Sequence, residues 1–108
     1  MATSKAYQEF IAEQLSELDD ITLRPMMGEY LLYYRGVLVG GIYDERVLIK
    51  ESPSTEKYAL PQVIPYETAK RTMYHIEDVD DRAKMMEIIE AAYEDLKQLP
   101  KKSSRRRK

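Results

Sequence analysis

The sequence predicts a two-layer α+β domain built on an antiparallel sheet, in the order helix, three strands, short helix, two strands, long helix. Three observations predict it. Apolar residues recur at helical spacing near both ends of the 108-residue chain. Between residues 22 and 50 three apolar or aromatic runs are separated by tight-turn signals, the pattern of a meander. A chain of this length suits one core, burying roughly 60–68% of the surface its unfolded form exposes.

From Ser4 to Leu18 the residues Tyr7, Phe10, Ile11, Leu15 and Leu18 form the apolar stripe of a first helix, with Thr3 or Ser4 as cap. Asp19-Asp20 followed by Ile21-Thr22 marks its exit. Residues 22–26 and 30–34 read as extended, bent or separated at Gly28, whose missing Cβ lets the backbone turn. Arg35-Gly36 suits a tight hairpin, and Asp44-Glu45-Arg46 a second one. If Arg35 and Gly36 are the loop, Tyr34 faces Val37, Leu32 faces Val39 and Tyr30 faces Gly41 on one side. Leu31, Tyr33, Leu38 and Ile42 then share the other, since side chains alternate along a strand. Both faces are apolar, which a small sheet with helices on one side does not need. Gly40-Gly41 does not open a helix after a strand, so it is no phosphate loop; it suits a bulge or a large neighbour, and tyrosines supply such neighbours.

Ser52 as cap and Pro53 in the first helical position predict a short helix through Tyr58. Extended pieces follow over Val63–Tyr66 and Lys70–Ile76. Asp78 or Asp80 starts the last helix, whose stripe is Met85, Met86, Ile89, Ala92, Tyr93, Leu96 and Leu99, and Pro100 stops it. Residues 1–100 are thus read as the domain. Residues 101–108 contain no apolar side chain and are read as a disordered basic tail.

Composition narrows the chemistry. There is no cysteine, so disulfides and thiolate sites are excluded, and the lone His75 cannot build a zinc site from this chain's imidazoles. No apolar run approaches the roughly 20 residues of a membrane span, nor does the amino terminus resemble a signal peptide, so the expectation is a cytoplasmic protein without membrane contact. The formal charge of −2 is uneven. Lys101, Lys102, Arg105, Arg106, Arg107 and Lys108 hold six of the 17 basic residues, leaving 11 against 19 acids before them, about −8. On that count the body repels a polyanion, and nucleic acid is expected at the tail only.

Candidate binding residues lie on the meander. Arg24, beside Pro25 and Gly28, reads either as an internal ion pair to the last helix or as a fork for a carboxylate or phosphate. Nine tyrosines against one Phe and no Trp are unusual. Tyr30, Tyr34 and Tyr43 offer large apolar bodies with polar tips, suited either to a half-exposed core or to a face covered by a partner. His75 and Glu77 share a strand face while Asp78 points away, so a metal or acid–base set is incomplete. Ser52, Ser54 and Thr55 read as a helix cap. Neither a metal, a cofactor nor a catalytic constellation is expected.

The stretch Arg24-Pro-Met-Met-Gly28, with Val47-Leu-Ile-Lys50 closing the meander, resembles the amino-terminal domain of the TfoX (Sxy) family. That family opens its sheet with an Arg-x-Met-Phe-Gly-Gly-like run and closes the third strand with Leu-x-Leu-Lys. Met27 stands where the family usually has Phe, Glu29 where a second Gly is common, and Met73-Tyr74-His75 approximates a Met-Ser-Tyr-Tyr-like strand. The resemblance implies a fold shared with secretion-chaperone-like proteins and a non-enzymatic role in competence and transcription control, alongside the cyclic-AMP receptor protein. A homodimer through the sheet, either burying its tyrosine-rich face or extending it edge to edge, and a protein partner are the expected associations.

Overall fold

Ser4 starts the first helix, α1 (Lys5–Gln14), by accepting the Tyr7 amide on its Oγ at 3.1 Å. The computed structural model describes residues 3–98. α1 ends before the expected Leu18. Arg82 donates to the carbonyls of Glu13 and Gln14 at 3.2 and 3.3 Å, and Gln14 Nε2 donates to the Val79 carbonyl at 2.8 Å. The terminal carbonyls of a helix need such partners, and here side chains supply them, so the chain can leave the helix at Leu15.

The sheet has six antiparallel strands: β1 (Ile21–Met26), β2 (Glu29–Tyr34), β3 (Val37–Ile42), β4 (Val47–Ile49), β5 (Gln62–Val63) and β6 (Met73–Ile76). Their order is β1-β2-β3-β4-β6-β5. Four strands rather than three precede the short helix, because Met27-Gly28 is a full hairpin turn and not a bend. Its φ values of 52° and 87° match those of Arg35-Gly36, 53° and 79°, and of Asp44-Glu45, 54° and 57°. All three are two-residue turns with both central residues left-handed, the geometry that follows the right-handed twist of paired strands.

The expected register is wrong beyond Leu38. Tyr34 does face Val37 and Tyr33 faces Leu38, but Leu32 faces Gly40, Leu31 faces Gly41 and Tyr30 faces Ile42. Val39 is an extra residue, and its carbonyl instead accepts from the Lys50 amide at 2.9 Å. A bulge of this kind changes the parity of everything after it. Ile42 therefore joins Tyr30, Leu32 and Tyr34 on the helix side, not Leu31 and Tyr33 on the other.

Pro53–Tyr58 forms a 3-10 helix after Ser52, and Thr55 Oγ1 both accepts the Ser52 amide and donates to the Ser52 carbonyl. Asp81, not Asp78 or Asp80, caps α2 (Arg82–Leu96), accepting the Lys84 amide at 3.0 Å. Ser54 donates through its amide and hydroxyl to Asp95, at 2.6 and 2.9 Å, which docks the 3-10 helix on α2 and holds the Asp95 carboxyl below its usual range.

One core lies between the sheet and both helices. Ile11 of α1, Leu15 just after it, and Met85, Ile88, Ile89 and Ala92 of α2 meet Leu32, Tyr34, Val39, Ile42, Val47, Ile49 and Ile76. Among the described residues, no helix is long and apolar enough to cross a membrane.

Candidate functional site

The outer face of the sheet, away from the helices, is where the chain exceeds the needs of its own core. Arg24, Leu31, Gly41, Leu48 and His75 stand in one row across five strands, each opposite the next. The two halves of this face differ. Leu48 is fully buried and Tyr43 nearly so, although neither belongs to the helix-side core.

Their cover is the chain's own segment 64–72. Extended structure was expected over Val63–Tyr66 and Lys70–Ile76, but β5 stops at Val63 and β6 begins only at Met73. Arg46 donates to the carbonyls of Ile64 and Pro65 at 3.3 and 3.2 Å, drawing the chain across the sheet. There Pro65 is buried and the Tyr66 ring lies 6.1 Å from that of Tyr43. Gly41 is the floor of this contact. A Cβ on it would lie 2.9 Å from Cε2 of Tyr43 and 2.5 Å from the Tyr30 carbonyl oxygen. The glycine pair thus serves both a bulge and a tyrosine ring.

His75 sits in the covered half, half-buried opposite Leu48. Burial lowers its pKa from the ordinary 6.5; Glu77 opposes that shift and Arg46 adds to it. Burial likewise raises the Tyr43 phenol, with Tyr66, Glu29 and Tyr33 adding to it. Among the described residues, no three His, Asp or Glu side chains gather where they could share a metal ion.

Over β1–β3 the outer face is open. Leu31, Tyr33 and Leu38 are half-buried, and the exposed Arg24 guanidinium lies 5.3 Å from the centre of the Tyr33 ring. Arg24 points away from α2, so the ion pair to the last helix does not form; stacking on Tyr33 takes its place. The predicted set of Arg24, Tyr30, Tyr34 and Tyr43 is split between two faces. Tyr34 is 2% exposed in the core, edge-on to Tyr93 with ring centres 5.0 Å apart, and Tyr30 packs beside that core. Lys101, Lys102, Arg105, Arg106, Arg107 and Lys108 lie outside the described residues.

The model of the TfoX N-terminal domain family matches residues 13–103. The chain belongs to that family. A comparison with curated proteins finds no match. The matched residues take in all six strands and α2, so the resemblance carried by Arg24–Gly28 extends over the sheet and the last helix.

Two hollows mark this TfoX N-terminal domain. The smaller, about 470 Å³, lies between Tyr34, Tyr58 and Tyr93. The chain's own cations already stack there: Arg35 lies 5.0 and 5.8 Å from the Tyr34 and Tyr93 ring centres, and Lys57 lies 5.4 Å from that of Tyr58. The larger, about 1020 Å³, opens where β4 ends and leaves Leu38 without a β4 neighbour. Segment 64–72 forms one wall, Leu96 of α2 closes one end, and Lys50, Lys70 and Arg71 line it. Sequence reasoning missed this grouping, because the three bases come from segments twenty residues apart that only the fold of 64–72 brings together.

Proposed function

We propose that this chain is a non-enzymatic interaction domain of the TfoX type, working in the cytoplasm in transcription control and pairing with a second copy of itself through the open half of the outer face. The observation that supports this is the unequal cover of one continuous apolar face. Segment 64–72 roofs β4–β6, while Leu31, Tyr33 and Leu38 remain half-exposed over β1–β3. A two-fold axis over that half would set Tyr33 and Arg24 of each copy against the other, a self-complementary arrangement. Tyrosine and arginine are the side chains that carry such interfaces. The family's tie to competence and transcription supports the setting.

Sedimentation over a hundredfold range of concentration checks this reading. The intact chain is expected to pass from monomer to dimer, and Tyr33→Asp to stay monomeric with an unchanged circular dichroism spectrum. A monomer at every concentration removes the dimer, and a dimer undisturbed by Tyr33→Asp places it elsewhere.

A further inference from the structure

We propose that the cleft beside the end of α2 binds an amphipathic organic anion, a medium-chain fatty carboxylate, with its chain along the apolar walls and its head on Lys70 and Arg71. The first observation is the lining. Leu38 of β3, Ala69 of the crossing segment, Met73 of β6 and Leu96 of α2 come from four separate parts of the fold, and all four are half-buried around the hollow. The hollow exists because β4 pairs only with residues 40–42 of β3, leaving Val37 and Leu38 without a β4 partner. Its volume of about 1020 Å³ leaves room for a long apolar body, which would take these side chains out of water.

The second observation is charge. Lys70 and Arg71 are exposed, both line the cleft, and neither forms an ion pair among the described residues. Lys50 also lines it but is already engaged within the chain. The one acid of the lining, Glu51, accepts hydrogen bonds from Gln62 Nε2 and Thr72 Oγ1. The cleft therefore offers a ligand a guanidinium and an ammonium group beside apolar walls. A guanidinium presents two parallel N–H donors to a carboxylate, and an ammonium group adds a point charge. Two such groups suit one anionic head and repel a cation.

The smaller hollow is the opposite case. Glu87, Glu90 and Glu94 line it, and its cations are already in use, Arg35 paired with Asp19 and stacked on Tyr34, Lys57 stacked on Tyr58. Of the two hollows, only the larger combines cations outside any ion pair with apolar walls.

The test is isothermal titration calorimetry of the full chain with dodecanoate below its micelle concentration. One equivalent per chain is expected to bind. Decanoate, two methylenes shorter, is expected to bind about fifteenfold more weakly, since each buried methylene contributes a factor of about four. Dodecyltrimethylammonium, with the same chain and the opposite head, should bind at least about tenfold more weakly than dodecanoate. Lys70→Gln with Arg71→Gln is expected to weaken dodecanoate by at least about tenfold. Both side chains are exposed, so the thermal melt of the unliganded variant should match that of the intact chain. The six basic residues after position 100 remain in that variant, so a loss there belongs to the cleft. Thr68→Glu, at an exposed position in the lining, supplies a carboxylate to the same cations and is expected to weaken dodecanoate as well.

Several outcomes overturn the proposal. Equal affinity for the two head groups would reduce the cleft to a surface that takes any amphiphile, and equal affinity for dodecanoate and acetate would leave its walls unused. An unchanged affinity in the Lys70/Arg71 variant would put the head elsewhere. Absence of saturable heat below the micelle concentration removes the site, and binding to phosphatidylglycerol vesicles without binding to monomeric dodecanoate would make it a membrane contact instead. The proposal does not rest on the pairing above: sedimentation reads pairing, and calorimetry reads the cleft.

Discussion

Leu31 and Leu32 are chain neighbours of the same type, yet one faces the open half of the sheet and the other the helix-side core. Leu32 is fully buried among Leu15, Tyr34, Ile42 and the residues of α2, whereas Leu31 keeps part of its surface in water beside Arg24 and Tyr33. The difference shows what organises this domain. Helices cover one face, and a single crossing segment covers half of the other, so the first face carries stability and the open half of the second keeps apolar surface against water.

The sharpest way to break this comparison is to truncate both leucines. Leu32→Ala is expected to reduce the unfolding free energy by about 2–5 kcal/mol, since it leaves a cavity in a packed core. Leu31→Ala should cost about 1 kcal/mol or less at low protein concentration, because little apolar area leaves the protein. Urea unfolding of the two variants measures it. Equal costs would mean that the open half is covered within one chain. A Leu31→Ala cost that grows with protein concentration would instead locate the missing cover on a second copy.

A smaller effect is expected where the roof touches the sheet. Gly41→Ala would push a methyl group to 2.5 Å from the Tyr30 carbonyl oxygen, a backbone atom that cannot swing away, and against the Tyr43 ring. Overpacking of that kind costs about 1–3 kcal/mol. Gly36→Ala is the control in the adjoining turn. Its surroundings are empty and only its φ of +79° resists a side chain, so about 1 kcal/mol is expected. Thermal melts rank the two, and a Gly36→Ala cost exceeding that of Gly41→Ala would show that the Tyr43 contact is loose.

Much of this arrangement is legible in the sequence, and what is not has a physical reason. Arg35-Gly36, Asp44-Glu45 and Ser52-Pro53 declare turns and a helix start because backbone geometry restricts which residues serve there. Gly40-Gly41 announces a close neighbour for the same reason. The bulge at Val39 is silent, since a valine there fits either parity, and that one residue moves Ile42 to the other face. The roof is silent as well. It depends on Arg46 reaching two carbonyls in Ile64-Pro65, a pairing that no local pattern encodes. The cleft follows from the roof, so its bases were counted in the sequence without being brought together. Charge totals for the whole body concealed them in the same way.

The smallest expected effect is a pH dependence that reports on the roofed half alone. His75 is the one histidine of the 108 residues, and burial lowers its pKa from 6.5, with Glu77 opposing and Arg46 adding to that shift. Above about pH 6.5 the imidazole is neutral both folded and unfolded, and its contribution to stability is fully present. As pH falls below that value the unfolded chain takes up the proton first, so stability decreases until the folded pKa is passed. The slope is at most that of one proton. Carboxylates ordinarily titrate near or below about 4.3, and those of Asp19 and Asp95 are held lower by Arg35 and by Ser54, so the interval from about pH 7 to about pH 5 belongs to His75. Urea midpoints across that interval should fall for the intact chain and stay level for His75→Gln. Replacing Arg46 by Gln should loosen the crossing segment and admit water to His75, flattening the slope in part. A slope that survives His75→Gln, or one that steepens in the Arg46 variant, would show that segment 64–72 does not shield this half of the sheet.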